Sequence, residues 1–217
     1  MAKQPEAIDY QFVRPEDVSF SFAIDLQRIG YDSWCHELPS RDPGEIRTVF
    51  NYRDQSHIAK KQAEYRKLAS RSGLVVAKTV ERHPVTVGYV AVKKDISGGA
   101  AERLVKTLFK PGRVYANITG VAVEPALRDF TNTIGVNLVD RAMDTFSRSQ
   151  TPTTYIYEED GSSKVFYESM GFIKTPEDQI PEPSYEYFGY ESPPVHTMRY
   201  AAPSVGELQH TIGVLTQ

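Results

Sequence analysis

The sequence predicts a single α/β (α+β) domain with a mixed sheet and helices packed on its faces. Three observations carry that expectation. Short runs rich in Val, Ile, Thr and Tyr, bounded by Pro or Gly, alternate with longer stretches of helical spacing. Ile134, Leu138, Ala142 and Phe146 recur every four residues, flanked by Val139 and Met143, which marks one strongly amphipathic helix. A chain of 217 residues with 40% apolar and 24% charged residues has room for one real core and an ordinary globular composition.

Taken in order, Tyr10 to Pro15 alternates and stops at proline, as a short strand does. Phe20 to Trp34 is helix-like, with Phe22, Ile24, Leu26 and Ile29 on a rough apolar face. A polar helical stretch starts near Glu45 and ends at Gly73, a C-capping residue, with the gap between Phe50 and Ile58 marking a break. Leu74 to Glu81 and Thr86 to Lys93 form a hairpin around His83-Pro84. Residues 95–113 interrupt the pattern and hold a short helical run, Ala101 to Phe109. Then come a strand (Tyr115 to Val123), the helix Ile134 to Phe146, a strand (Thr154 to Glu158), a helix (Ser162 to Met170) and a strand opening at Phe172. Val195 to Tyr200 is the last strand; the expected core is about 10–201, and 202–217 read as a C-terminal tail.

Bulk properties exclude several classes. The net charge of −3 argues against a nucleic-acid partner. No run approaches the roughly 18 apolar residues a membrane span needs, and the N-terminus has no apolar signal core. Cys35 is the only cysteine, so no intrachain disulfide and no cysteine-based zinc site can form. The five histidines have no metal-ligand spacing, so no metal is expected. The expectation is a cytoplasmic protein of a reducing compartment.

Two segments carry chemistry. In the first, the strand Ile118-Thr-Gly-Val-Ala-Val-Glu-Pro125 runs through a polar loop into the helix opening at Ile134-Gly135. A helix N-terminus offers backbone N–H groups and a positive dipole end, a seat for a pyrophosphate, and Thr131, Asn132 and Thr133 are competent caps or donors. A plain strand–loop–helix crossover reads the same way. The second segment is Tyr155-Ile-Tyr-Glu-Glu-Asp-Gly-Ser-Ser-Lys-Val-Phe-Tyr-Glu-Ser-Met-Gly-Phe172.

Together they resemble the GNAT (GCN5-related N-acetyltransferase) superfamily. Asp160 falls on the family's Asn, and Phe166-Tyr167-Glu168-Ser169-Met170-Gly171-Phe172 matches its helix-ending motif. Val123-Glu124-Pro125 fits the V-x-P element, and Gly88-Tyr89-Val90-Ala91-Val92 resembles the strand before it. The likeness spans about residues 74–200. It implies a GNAT-type, mostly antiparallel sheet with helices on both faces, and acetyl-CoA as acyl donor. The implied cofactor-binding residues are Val121, Ala122, Val123, Arg128, Thr131, Asn132, Thr133, Ile134, Gly135 and Val136, with Asp160, Ser163 and Phe166. The family loop R/Q-x-x-G-x-G/A reads here Arg128-Asp-Phe-Thr-Asn-Thr-Ile-Gly135, two residues longer and with only the last glycine. Registered from the helix, Phe130 takes the Arg/Gln position and Thr133 the first Gly; registered from Pro125, Arg128 is kept.

The implied reaction is attack of an amine on the thioester, with Tyr167 as the acid for the leaving thiolate. The base is open between Glu158 and a water chain, because Asn117 stands where some members have Glu. Packing beside Phe166 is the other reading of Tyr167. The expected activity is N-acetyl transfer to a primary amine of a small molecule or peptide. The alternatives are a non-catalytic acyl-CoA-sensing or interaction protein, and transfer of a longer acyl or an aminoacyl group. The aromatic and acidic stretch Glu182 to Glu191 suggests a cationic amine acceptor. An exposed strand edge would suit a homodimer.

Overall fold

The computed structural model describes residues 7–96, 114–127, 133–157, 160–176 and 197–216. Its strands are β1 (Ile8–Phe12), β2 (Leu74–Thr79), β3 (Thr86–Ile96), β4 (Val114–Val123), β5 (Thr151–Tyr157), β6 (Ile173–Lys174) and β7 (Thr197–Ala201). Its helices are α1 (Phe20–Glu37), α2 (Pro43–Val49), α3 (Gln55–Ala69), α4 (Thr133–Met143), α5 (Gly161–Ser169) and α6 (Val205–Leu215). The seven strands hydrogen-bond in the order β1-β2-β3-β4-β5-β7-β6. Antiparallel pairing holds between β1 and β2, β2 and β3, β5 and β7, and β6 and β7, while β4 and β5 run parallel. This is the mixed, mostly antiparallel sheet that the sequence predicts.

The chain divides into two compact units. The first comprises Met1–Val92 and Gly120–Thr145, the second Lys93–Thr119 and Phe146–Gln217. In the first, side chains alternate across β2 and β3, so neighbouring residues serve opposite faces. Leu74, Val76, Tyr89 and Ala91 join Leu26 and Ile29 of α1 and Ile58, Tyr65 and Ala69 of α3 in one buried cluster. On the other face lies α4: an added Cβ on Gly88 would stand 3.2 Å from Leu138, and the Asn137 amide donates to the Tyr10 hydroxyl at 3.3 Å. Helices therefore cover both faces of this part of the sheet.

The break expected between Phe50 and Ile58 separates α2 from α3, and each starts on an aspartate. Asp42 accepts the Gly44 N–H, and Asp54 accepts the His57 N–H. The end of α3 differs in detail from expectation. Gly73 donates to Leu68 O and Ser72 to Ala69 O, the paired bonds of a Schellman ending, so the left-handed position belongs to Ser72 (φ 53°). Gly73 is needed for another reason: a Cβ there would lie 2.2 Å from the Val92 carbonyl oxygen of β3.

In the second unit, β5 is flanked by β4 and β7. The expected tail at 202–217 is corrected here. Ser204 caps α6 by accepting the Glu207 N–H, and Val205, Leu208 and Ile212 are buried one helical turn apart. That i, i+3, i+7 spacing is the apolar stripe of an amphipathic helix. The 101–109 helix and the 182–191 stretch fall outside the described residues. Among the described residues no helix is long and apolar enough to cross a membrane.

Candidate active site

In the first unit the site begins at the end of β4. Ala122 and Val123 are buried and Val121 is half-buried. Gly88 admits this strand closely, since a Cβ there would meet Ala122 O at 3.0 Å and Val123 Cγ2 at 3.4 Å. Glu124 is fixed by two neighbours. Its N–H donates to Val87 O at 2.8 Å, and its carboxylate accepts from Arg28 of α1 at 2.7 Å. Pro125–Leu127 then forms one 3-10 turn. Helix α4 opens at Thr133; Thr133 and Ile134 are half-buried, Gly135 and Val136 buried. The first turn of a helix presents N–H groups without i−4 acceptors and the positive dipole end. Of the expected loop donors, Arg128, Thr131 and Asn132 lie outside the described residues.

The second unit holds the motif around Tyr167. Asp160 is buried and caps α5: its Oδ1 accepts the Ser163 N–H and the Ser162 hydroxyl, both at 2.9 Å. The Ser163 amide is thus committed to the cap. Tyr167, 6% exposed, sits edge-on between Phe166 (centroids 5.0 Å apart) and Phe172 (5.3 Å). Sequence reasoning missed the role of Glu168, whose carboxylate accepts from the Tyr200 hydroxyl of β7 at 3.4 Å. Burial and that carboxylate push the Tyr200 hydroxyl above the usual tyrosine value. No local signal links positions 168 and 200; only strand pairing brings them together.

On β4, Asn117 is buried and its Oδ1 faces the Thr153 hydroxyl at 3.5 Å, while Thr154 donates to Ile118 O at 3.1 Å. These two threonines belong to the last two pairs of the parallel ladder, which covers Tyr115 to Ile118 and Thr151 to Thr154. Asn117 therefore occupies a polar core position and offers no base. Glu158 lies outside the described residues.

Neither the family models nor the curated proteins give a match to this chain. Solved structures do. The chain is similar to the PaiA N-acetyltransferase of Thermoplasma acidophilum in complex with coenzyme A, with 13% identity, 91% of this chain and 99% of that one covered, and a TM-score of 0.57. It is also similar to a GNAT-family acetyltransferase of Staphylococcus aureus Mu50 (14% identity, 90% and 98% covered, TM-score 0.55). An acetyltransferase of Streptococcus agalactiae 2603 gives 16% identity, 91% and 99% covered, and a TM-score of 0.53. With the strand order and the parallel β4–β5 pair described above, the chain has the fold of the GNAT acetyltransferases.

Proposed function

We propose that this chain is an acyl-CoA-dependent N-acyltransferase that moves an acetyl group from acetyl-CoA to a primary amine of a small molecule or peptide. One observation carries the reading: β4, the strand that pairs in parallel with β5, ends in a fixed Val123-Glu124-Pro125 exit from which the chain leads to the N-terminus of α4. The structural neighbour from Thermoplasma acidophilum is described as an N-acetyltransferase in complex with coenzyme A, which supports the same donor here.

In this reading the backbone of Val121 to Val123 lines the pantetheine arm, and the Thr133 to Val136 amides receive the pyrophosphate, with Arg128, Thr131 and Asn132 as further donors. Gly135 suits that position because it adds no side chain of its own to the first turn. Thr133 can donate its N–H, but its Cβ limits close approach. The amine nitrogen bonds to the thioester carbonyl carbon, a β4 N–H supports the oxyanion, and the C–S bond breaks. The thiolate takes a proton from Tyr167, and the amine gives one up to Glu158 or to water. On the grounds of the Glu182 to Glu191 composition we propose a cationic acceptor.

A second reading rests on the burial of Tyr167 between two phenylalanine rings. There its role is packing, and the chain binds acyl-CoA without turning it over. Single-turnover assays with acetyl-CoA and a panel of cationic and neutral amines separate the two. Free thiol released only when an amine is present supports transfer; CoA binding with no thiol release supports the sensor.

A further inference from the structure

Glu124 is held at three points. Its N–H donates to Val87 O at 2.8 Å, its carbonyl accepts the Leu127 N–H at 2.9 Å, and its carboxylate receives Arg28 Nη2 at 2.7 Å. Val87 itself sits at a β-bulge. The β2–β3 register jumps from Ala77↔Gly88 to Lys78↔Thr86, so Val87 is the extra residue. Bulges re-aim backbone groups, and this one provides the acceptor for Glu124. Arg28 is oriented in turn by Asp32, one helical turn along α1, at 3.3 Å. The pair is mostly shielded, with side-chain exposures of 37% for Arg28 and 20% for Glu124.

A solvated glutamate at this place would leave the exit of β4 tied by backbone alone, just where the strand gives way to a 3-10 turn. A half-buried guanidinium–carboxylate contact adds a directional constraint from a different element. We infer that Arg28 and Glu124 are positioning residues for acyl-CoA, clamping the end of β4 so that the Val121 to Val123 backbone keeps the shape the pantetheine arm needs. This rests on the acyltransferase reading above. It adds to that reading a residue on α1, far in sequence from the motif.

The test uses the full chain with Arg28→Met, Glu124→Gln, the double variant and Arg28→Lys. Coenzyme A binding is titrated calorimetrically, and backbone amide exchange is followed in parallel. Each single variant is expected to weaken CoA binding about five- to tenfold, and the double no further than the worse single, because the two residues act as one unit. Arg28→Lys, which keeps a point charge, is expected to recover part of the loss. Exchange at residues 121–127 is expected to quicken on the order of tenfold while amides in β5 stay unchanged. Additive losses, unchanged CoA affinity in folded variants, or exchange that quickens evenly through the chain would overturn the clamp. Wild-type protein that holds no CoA would overturn the acyltransferase reading and the clamp's function together. Wild-type binding with unaltered variants overturns the clamp alone.

Discussion

The Tyr167 and Phe172 rings meet edge to face, 5.3 Å apart at 70°, across the end of helix α5. Phe172 N–H donates to Tyr167 O and Gly171 N–H to Glu168 O, with Gly171 at φ +89°. These are the bonds of a Schellman ending, and the ring pair is its usual hydrophobic contact between the third-last helical residue and the second beyond the cap. The Tyr-Glu-Ser-Met-Gly-Phe run is therefore a physical unit: glycine makes the left-handed turn, and the turn delivers Phe172 onto Tyr167.

Gly171→Ala should cost about 1 kcal/mol, because alanine resists this φ. An added Cβ meets nothing closer than Thr211 Oγ1 at 3.8 Å, so sterics add little. Urea unfolding measures it, and no change in midpoint would contradict the assignment of strain to the backbone.

At the end of α3 the same device uses the wrong residue, Ser72. Ser72→Gly should stabilise by a few tenths to about 1 kcal/mol. Gly73→Ala should instead destabilise by about 2 kcal/mol or more, since the methyl would press on the Val92 carbonyl. Equal effects at the two positions would show that backbone conformation and close approach have been confused.

Tyr167→Phe should lower kcat on the order of 10²-fold while leaving CoA affinity nearly intact. The fold should survive, because the ring packing that anchors the helix end is kept. Unchanged kcat would leave Tyr167 with the packing role alone.

His57 links pH to stability. Its Nε2 faces Gln27 Oε1 at 2.9 Å, and Gln27, buried in α1, donates to Tyr65 at 2.7 Å. Burial and then Lys61 hold the His57 pKa below its usual 6.5, against the opposing pull of Glu64, Asp54 and the Val49 carbonyl. The unfolded chain thus binds the proton more readily. The His57 contribution is full above pH 6.5 and is lost as pH falls from there through the folded value. Denaturation midpoints from pH 7.5 to 5 should fall more steeply for wild type than for His57→Gln. Parallel slopes would mean His57 titrates alike in both states.

Much of this was legible in the sequence because local rules were obeyed. The four-residue repeat gave α4, and the Gly-Phe ending gave α5 its C-terminus. The parts that escaped depend on pairing at a distance. Arg28 with Glu124, Glu168 with Tyr200, and the Val87 bulge join residues with no common spacing, so periodicity cannot find them. Gly73 looked like a cap because the cap and a close strand approach ask for the same residue. Val205, Leu208 and Ile212 carry helical spacing behind the Ser204 cap, a local signal that the expectation of a tail did not use.

Calorimetric titration of coenzyme A into the wild-type chain and into Gly135→Asp tests the central claim most directly. The account predicts one site per chain with a Kd between about 1 μM and 1 mM, the span of ordinary enzyme KM values. It predicts at least about a tenfold loss in the folded variant, from bulk and charge repulsion at the first turn of α4. Absence of binding to wild type at millimolar CoA, or equal affinity in the two proteins, would contradict it.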